Sequence, residues 1–210
     1  LLFICPYSFI CLYLYSSSNN LHKKDSNRML FPRKIVFLEE LLKRIPLYIT
    51  LKEPTIMMEK TLVILKPCTL QRGLVGEITN RFERKGLRLA GMKMVQLTDE
   101  VLSEHYAHLS AKPFFQRVKD SMMACPVIVC CFEGVDAIEA VRALTGPTNG
   151  RKAAPGTIRG DYSMSFQENI VHASDSPEAA EVELKRFFKP EEIFDYKQAT
   201  FDFLYANDEY

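Results

Sequence analysis

Two polar residues in the C-terminal third of the chain have the types and spacing of a nucleophilic pair. His172 precedes Ser176-Pro177, a residue pair that is typical of a helix start. On the helix predicted to follow, Glu183 shares a face with Ala180 and Leu184, so its carboxylate needs a buried partner. An imidazole N–H would satisfy that carboxylate, fix the histidine tautomer and leave the other ring nitrogen as a nucleophile. The alternative is a glutamate at the edge of this face that reaches solvent.

A long loop, residues 145–161, is rich in Gly and Pro and offers groups for binding an anion. Its side-chain donors are Thr148, Arg151, Lys152 and Arg159. Loops longer than about 12–15 residues in compact domains are usually functional or disordered. Donors on a turn-rich backbone suit phosphate, and the helix start after His172 could assist. A solvated basic loop is the alternative, and Lys66 and Arg142 could likewise be ordinary surface cations.

These residues must be positioned by elements that alternate between strand and helix. The periodicity and the flanking Gly and Pro residues predict four strands, at Thr61–Leu65, Leu87–Leu97, Val127–Phe132 and Ile170–His172. They predict helices at Gly73–Lys85, Thr98–Leu109, Pro113–Met123, Gly134–Leu144 and Ser176–Phe188. This order predicts an α+β fold, a ferredoxin-like split βαβ sandwich. Its four-stranded antiparallel sheet would have helices packed on it and an inserted helical hairpin.

Composition excludes several classes of protein. The chain has 210 residues, of which 47% are hydrophobic, and its 27 Lys+Arg against 26 Asp+Glu give a formal charge of +1. That near-neutral balance argues against a dedicated nucleic-acid binder and against an acidic disordered chain. The charge is uneven, since residues 1–58 sum to +4 and residues 59–210 to −3. We therefore predict a non-catalytic N-terminal extension over 1–58 and one compact domain over 59–210.

Cysteine usage and the N-terminal segment bear on location. The six cysteines form no CxxC pair, and Cys130-Cys131 lies in an apolar run, so we expect buried thiols in a reducing, cytoplasmic environment. The apolar stretch Leu1–Tyr15 is shorter than a membrane helix and has no basic residues before it, unlike a signal peptide. We expect the functional protein to begin near Met57 or Met58 and its catalytic domain to need no membrane. A genuine organelle or membrane leader is the alternative.

The sequence around His172 resembles a known signature. The stretch Asn169–Ser176 (NIVHASDS) is similar to the N-x-x-H-x-S-D signature of nucleoside diphosphate kinases. Further blocks of the same family follow in order, at Lys66-Pro67, Gln71–Gly76, His105-Tyr106, Pro113–Phe115, Gly146–Asn149 and Pro155–Asp161. The resemblance covers about residues 59–205 and leaves out residues 1–56.

The resemblance implies an enzyme that moves the γ-phosphate of a nucleoside triphosphate such as ATP to a nucleoside diphosphate by a ping-pong route. His172 would become transiently phosphorylated, and the enzyme would maintain the pools of NTPs and dNTPs. Phosphoryl transfer passes through a loose transition state, so catalysis would consist mainly of positioning and charge neutralisation. The family's Mg²⁺ bridges the nucleotide phosphates and takes few protein ligands, so no protein metal ligand is predicted. The family forms homo-oligomers, either hexamers or tetramers.

The resemblance also assigns roles to single residues. The nucleotide-binding positions are Lys66 and Asn169 at the ribose, Phe114 against the base, and Arg142, Thr148 and Arg159 at the phosphates. The supporting positions are Tyr106, Ser174 and Glu183. A stacking aromatic with no reader of the base edge would explain tolerance of several bases, because every base has a π-face.

Two positions depart from the family. Cys68 stands where the usual pattern is Lys-Pro-Asp, which removes a negative charge and can add an accessible thiol. Gly150 stands where many relatives have Pro, so we expect a more flexible loop there and weaker subunit contacts. The alternative function is a catalytically silent nucleotide-binding or scaffold relative, but the set from Lys66 to Glu183 is intact and favours activity.

Overall fold

The computed structural model describes residues 58–206 and 209, and the predictions for residues 1–57 lie outside this range. The strands are β1 (Met58–Leu65), β2 (Arg88–Val95), β3 (Val127–Val135) and β4 (Val171–Ala173). The α-helices are α1 (Pro67–Gln71), α2 (Val75–Arg84), α3 (Asp99–His105), α4 (Phe115–Met123), α5 (Ala137–Thr145), α6 (Ile158–Tyr162) and α7 (Pro177–Phe187). Short 3₁₀ turns lie at Ala107–Leu109, Gly150–Lys152, Pro190–Glu192 and Phe201–Phe203.

The four strands form one antiparallel sheet in the order β2-β3-β1-β4. Strand β1 is central, and it pairs with β3 along its whole length and with β4 through Ile64 opposite His172. The helices α3 and α4 between β2 and β3 form the inserted hairpin. The predicted ferredoxin-like α+β fold is confirmed.

The sheet buries both of its faces. Along β1, Leu62 and Ile64 belong to one core cluster, which includes residues of α3, α4 and α7. Val63 and Leu65 belong to the other, which includes residues of α2, α5 and α6. Because side chains alternate between the faces of a strand, a strand covered on both sides is apolar without interruption. This explains why the run at 61–65 has no polar alternation.

The boundaries of several elements differ from the prediction. The predicted helix at Gly134–Leu144 begins too early, because β3 continues to Val135 against the start of β1. Asp136 then makes the turn with a positive φ of 48°, and α5 follows. The predicted helix at Thr98–Leu109 ends as an α-helix at His105 and continues as a 3₁₀ turn.

The loop at 145–161 is also more ordered than a loop prediction implies. It contains a 3₁₀ turn and the start of α6, where the Thr157 hydroxyl accepts a hydrogen bond from Gly160 N. The predicted N-cap of α7 is confirmed, since the Ser176 hydroxyl accepts from Ala179 N. Cys130 and Cys131 are buried free thiols, as expected. Among the described residues we find no helix with the length and apolar character to span a bilayer.

Candidate active site

Strand β4 and helix α7 bring His172 and Glu183 together. Pairing with β1 fixes His172 on the sheet edge, and the capped start of α7 directs the next helix back across it. His172 Nε2 lies 3.0 Å from Glu183 Oε1, and the Ser174 hydroxyl donates to Glu183 Oε2 at 2.6 Å. Glu183 is thus the inward-facing carboxylate that the sequence predicts, and its partner is the predicted imidazole.

These contacts determine the chemistry of the histidine. An ionised carboxylate only accepts hydrogen bonds, so His172 Nε2 carries the proton and Nδ1 keeps its lone pair. Burial acts to raise the pKa of Glu183, but the hydrogen bonds from His172 and Ser174, together with the charge interactions with His172 and His105, outweigh it and lower that pKa to about 2. The pair is therefore an imidazole held in one tautomer by an ionised carboxylate, with a nucleophilic nitrogen available.

A strained turn precedes the histidine. Ile170 has a φ of 73°, and Val171 N donates to Asn169 O at 2.8 Å across it. This is a γ-turn of the rare positive-φ kind, which is costly for a β-branched residue. The turn is held because Ile170 is fully buried and its carbonyl accepts from Lys66 N and from the Thr69 hydroxyl. It separates Asn169 from His172 so that both side chains reach one cavity.

Lys66 and Asn169 meet at one side of that cavity. Lys66 Nζ donates to Asn169 Oδ1 at 2.6 Å and to Gln167 O at 3.2 Å. Asn169 Nδ2 in turn donates to the carbonyls of Thr148 and Phe166. Burial, followed by the charge of Arg159, lowers the pKa of Lys66 to about 8. The two predicted ribose-binding residues are therefore adjacent and already oriented.

The predicted phosphate-binding residues line the same cavity, and two of them, Thr148 and Arg159, contact Asn169 directly. Arg142 is exposed and its side chain has no hydrogen-bond or ion-pair partner within the described part of the chain, so its guanidinium is free to meet an anion. Arg159 donates to the carbonyls of Asn169, Gly146 and Val171, so it also fastens the loop to β4. Burial and the charge of Arg142 lower the pKa of Arg159 to about 10.

One cavity of about 860 Å³ collects these side chains, a size within the range of small-molecule sites. Nine of the ten predicted site residues line it, namely Lys66, Tyr106, Phe114, Arg142, Thr148, Arg159, Asn169, His172 and Glu183. The tenth, Ser174, lies behind Glu183. Tyr106 is near the histidine as expected, with ring centroids 6.3 Å apart.

The cavity includes residues that sequence reasoning did not assign to the site. Val118 lies four residues after Phe114 at the start of α4. Side chains at this spacing lie on the same face of a helix, so the spacing could have predicted that Val118 lines the cavity beside Phe114. Phe166 and Gln167 lie in the 163–169 segment and carry no motif. Arg186 lines the cavity from α7, the element that supplies Glu183.

A second histidine, His105, packs against His172. The ring of His105 packs edge-on against His172, with centroids 4.6 Å apart, and its Nδ1 lies 3.4 Å from Arg186 Nη1. Burial, then the neighbouring His172, lowers the pKa of His105 to about 3. Within the described range, one cluster of side chains has the spacing of metal ligands, and it consists of His105, His172 and Glu183. Because a guanidinium stands beside it, we assign no resident metal there.

The structure shows the surroundings of Cys68 and Gly150, the two residues that depart from the family pattern. Cys68 is half-buried, and burial raises the pKa of its thiol, which therefore stays protonated and weakly reactive. Gly150 is buried, and its N–H donates to Ser165 O at 3.3 Å. A Cβ at Gly150 would lie 2.3 Å from Ser163 O. The loop is therefore closely packed at the position where we expected flexibility.

Comparison with known proteins agrees with this geometry. A sequence model of the family described as nucleoside diphosphate kinase matches residues 59–193. A nucleoside diphosphate kinase of Parabacteroides distasonis is 78% identical over 153 residues, covering 73% of this chain and all of that protein. One of Pyrococcus horikoshii is 48% identical over 145 residues, covering 68% of this chain and 92% of that protein.

Solved structures agree with the sequence relatives. A nucleoside diphosphate kinase of Halobacterium salinarum in complex with CDP matches with a TM-score of 0.70 and 39% identity, covering 71% of this chain and all of that one. A family protein of Babesia bovis matches with a TM-score of 0.68 and 40% identity, covering 70% of this chain and 99% of that one. The matches cover the fold that carries His172 and its cavity. The chain therefore belongs to the nucleoside diphosphate kinase family of phosphotransferases.

Proposed function

We propose that His172 carries the phosphate in transfer from a nucleoside triphosphate to a nucleoside diphosphate, the activity of this chain's family. The observation that carries the proposal is the contact between His172 Nε2 and Glu183 Oε1, which leaves Nδ1 as the nucleophile. In the first step Nδ1 forms a bond to the γ-phosphorus, the bond to the β–γ bridging oxygen breaks, and the nucleoside diphosphate leaves. In the second step a β-phosphate oxygen of another diphosphate takes the phosphoryl group and the P–N bond breaks.

The cations around the cavity support this reaction. Lys66, Arg142 and Arg159 present positive charge to a polyanion, and such groups stabilise the charge that spreads over the transferring phosphoryl oxygens. Phe114 would stack on the base, and Lys66 with Asn169 would hold the ribose. This arrangement suits several bases, because stacking uses a π-face that all bases share.

Mg²⁺ enters this proposal with the substrate, bound to the nucleotide phosphates. Asp175 and Glu183 are the carboxylates that line the described cavity, and Glu183 already accepts from His172 and Ser174. Mg²⁺ keeps several water ligands and binds through substrate phosphates with few protein carboxylates, so this donor set fits. The ion would supply neutralisation of phosphate charge.

Incubation with γ-labelled ATP and Mg²⁺ tests the intermediate. We expect acid-labile label on the protein, its loss in His172→Ala and its retention in His22→Ala, a matched histidine in segment 1–57. Added diphosphates of different bases should each remove the label. Nucleotide binding without any label on His172 would contradict this mechanism. It would instead favour the alternative function, a catalytically silent nucleotide-binding protein.

We further propose that the chain forms a homo-oligomer, a hexamer or a tetramer, and acts in the cytoplasm. The edge strand β2 exposes Met92 and Met94, 43% and 64% of their surfaces, and such apolar edges are usually covered. Light scattering on the purified chain tests the assembly.

The proposed cytoplasmic location is supported by the described cysteines, which are free thiols, as expected of a reducing compartment.

A further inference from the structure

A pair of reciprocal hydrogen bonds joins two walls of the cavity. Arg117 Nε on α4 donates to Gln167 Oε1 at 2.8 Å, and Gln167 Nε2 donates to Arg117 O at 3.3 Å. A second contact runs parallel to it, where the Ser121 hydroxyl donates to Glu168 Oε1 at 2.6 Å. Gln167 Nε2 also donates to Glu168 Oε1, at 3.2 Å. We call these four residues the latch.

The two walls that the latch joins are apolar where they face the cavity. On one side Phe114 and Val118 line it from the start of α4, and Val118 directly follows Arg117. On the other side Phe166 lines it and directly precedes Gln167, with 58% of its surface exposed. A flat aromatic ligand between these side chains would cover the exposed Phe166, so the separation of the walls determines how well a base fits.

We propose that Arg117 and Gln167 are positioning residues that hold the gap between Phe114, Val118 and Phe166 at the width of a nucleotide base. The inference rests on the proposed function, since it concerns the base end of the same cavity. A gap already held at its bound width reduces the loss of conformational freedom on binding and so raises affinity. Arg117 does not line the cavity, and Gln167 contacts Lys66 only through its backbone carbonyl among the described residues, so we expect their side-chain contact to affect base binding and not phosphate transfer.

The exposure of the latch distinguishes this role from a purely structural one. Arg117 is exposed, and exposed polar contacts contribute little to global stability. Losing the contact should therefore appear in nucleotide affinity and leave the melting temperature unchanged. Two residues that act through one contact should also be coupled, so that the second substitution adds nothing to the first.

A double-mutant cycle with ADP and ATP tests the latch in the full chain. Arg117→Ala should raise KM by about three- to tenfold, the effect of one net hydrogen bond, with kcat within about twofold of wild type. Gln167→Ala should raise KM by a similar factor, and the double variant no further. Gln116→Ala is the matched control, since among the described residues Gln116 Nε2 donates only to Asp120 within α4, and it should leave KM unchanged.

A nucleotide analogue that lacks the base shows whether the loss of affinity arises at the base end of the cavity. Ribose 5-diphosphate, as a competitive inhibitor, should bind wild type and Arg117→Ala equally well, because it puts nothing between the apolar walls. Unchanged KM values, independent effects of the two substitutions, or equal weakening of ribose 5-diphosphate would each overturn the latch. Absence of phosphate transfer in the wild-type chain would instead contradict the proposed function, so the two failures are distinguishable.

Discussion

The carboxylate of Glu183 lies 3.0 Å from Nε2 of His172 and accepts a second hydrogen bond, from Ser174, on its other oxygen. Both oxygens of the carboxylate are thereby used, and its position is fixed from two sides. The imidazole consequently presents Nδ1 towards the cavity in a single tautomer. In the proposed mechanism Glu183 would be a positioning residue, because it would act on the reaction through the histidine.

Removing the charge of Glu183 should slow transfer strongly. Hydrogen bonds to charged groups are worth about 1.5–3 kcal/mol, so we expect Glu183→Gln to lower kcat by about 10- to 100-fold. The amide can also donate to the imidazole, which would favour the wrong tautomer. Single-turnover labelling of His172 measures the effect. Glu181→Gln is the control on the same helix, since Glu181 pairs with exposed Lys185, and a normal rate in Glu183→Gln would disprove the role of the charge.

The lowered pKa of Lys66 predicts an alkaline limit on substrate capture. In the proposed site Lys66 would bind substrate through its charged form, and its pKa of about 8 means that this form is lost as pH rises above that value. We expect kcat/KM for adenine nucleotides, whose base does not titrate in this range, to fall by up to about tenfold per pH unit above pH 8. Lys66→Met should have a low kcat/KM without this fall. An identical alkaline limb in Lys66→Met would assign the titration to another group.

A buried ion pair should stabilise the fold without acting on the site. Arg88 on β2 and Glu133 on β3 form a salt bridge in which both side chains are at most 10% exposed. Arg88 keeps Asp195 and the Tyr196 carbonyl as partners when Glu133 is removed, so the expected cost is that of one hydrogen bond to a charged group. Glu133→Ala should therefore lower the free energy of unfolding by about 1.5–3 kcal/mol. Urea denaturation measures this. KM and kcat of the folded variant should match wild type, and a loss below 1 kcal/mol would contradict the prediction.

A side chain at Gly150 should destabilise this chain, because Ser163 packs directly against the glycine. A Cβ there would meet Ser163 O at 2.3 Å, and overpacking of this kind costs about 1–3 kcal/mol. Gly150→Ala should therefore lower the free energy of unfolding by that amount, and Gly150→Pro should also lose the N–H donated to Ser165 O. Gly76→Ala is the contrasting control, because open space surrounds Gly76 within α2 and the change should stabilise the helix slightly. A Gly150→Ala variant as stable as wild type would show that Ser163 moves aside.

Local sequence patterns were sufficient to predict the order of strands and helices, the ferredoxin-like fold and the inward-facing Glu183. These follow from local periodicity and turn residues, which act over a few positions along the chain. The apolar stripe of α7 was enough to predict that Glu183 needs a buried partner, and the capping pair Ser176-Pro177 was enough to start that helix at the correct residue.

The contacts between distant parts of the chain could not be predicted from local patterns. The positive φ of Ile170 is imposed by its burial and by hydrogen bonds from Lys66 and Thr69, about 100 residues away. The close packing of Gly150 against Ser163 reversed the expectation of flexibility, because a glycine's surroundings cannot be read from its neighbours in sequence. The contact of Arg117 with Gln167 likewise depends on how the hairpin folds over the sheet, and no local pattern encodes it.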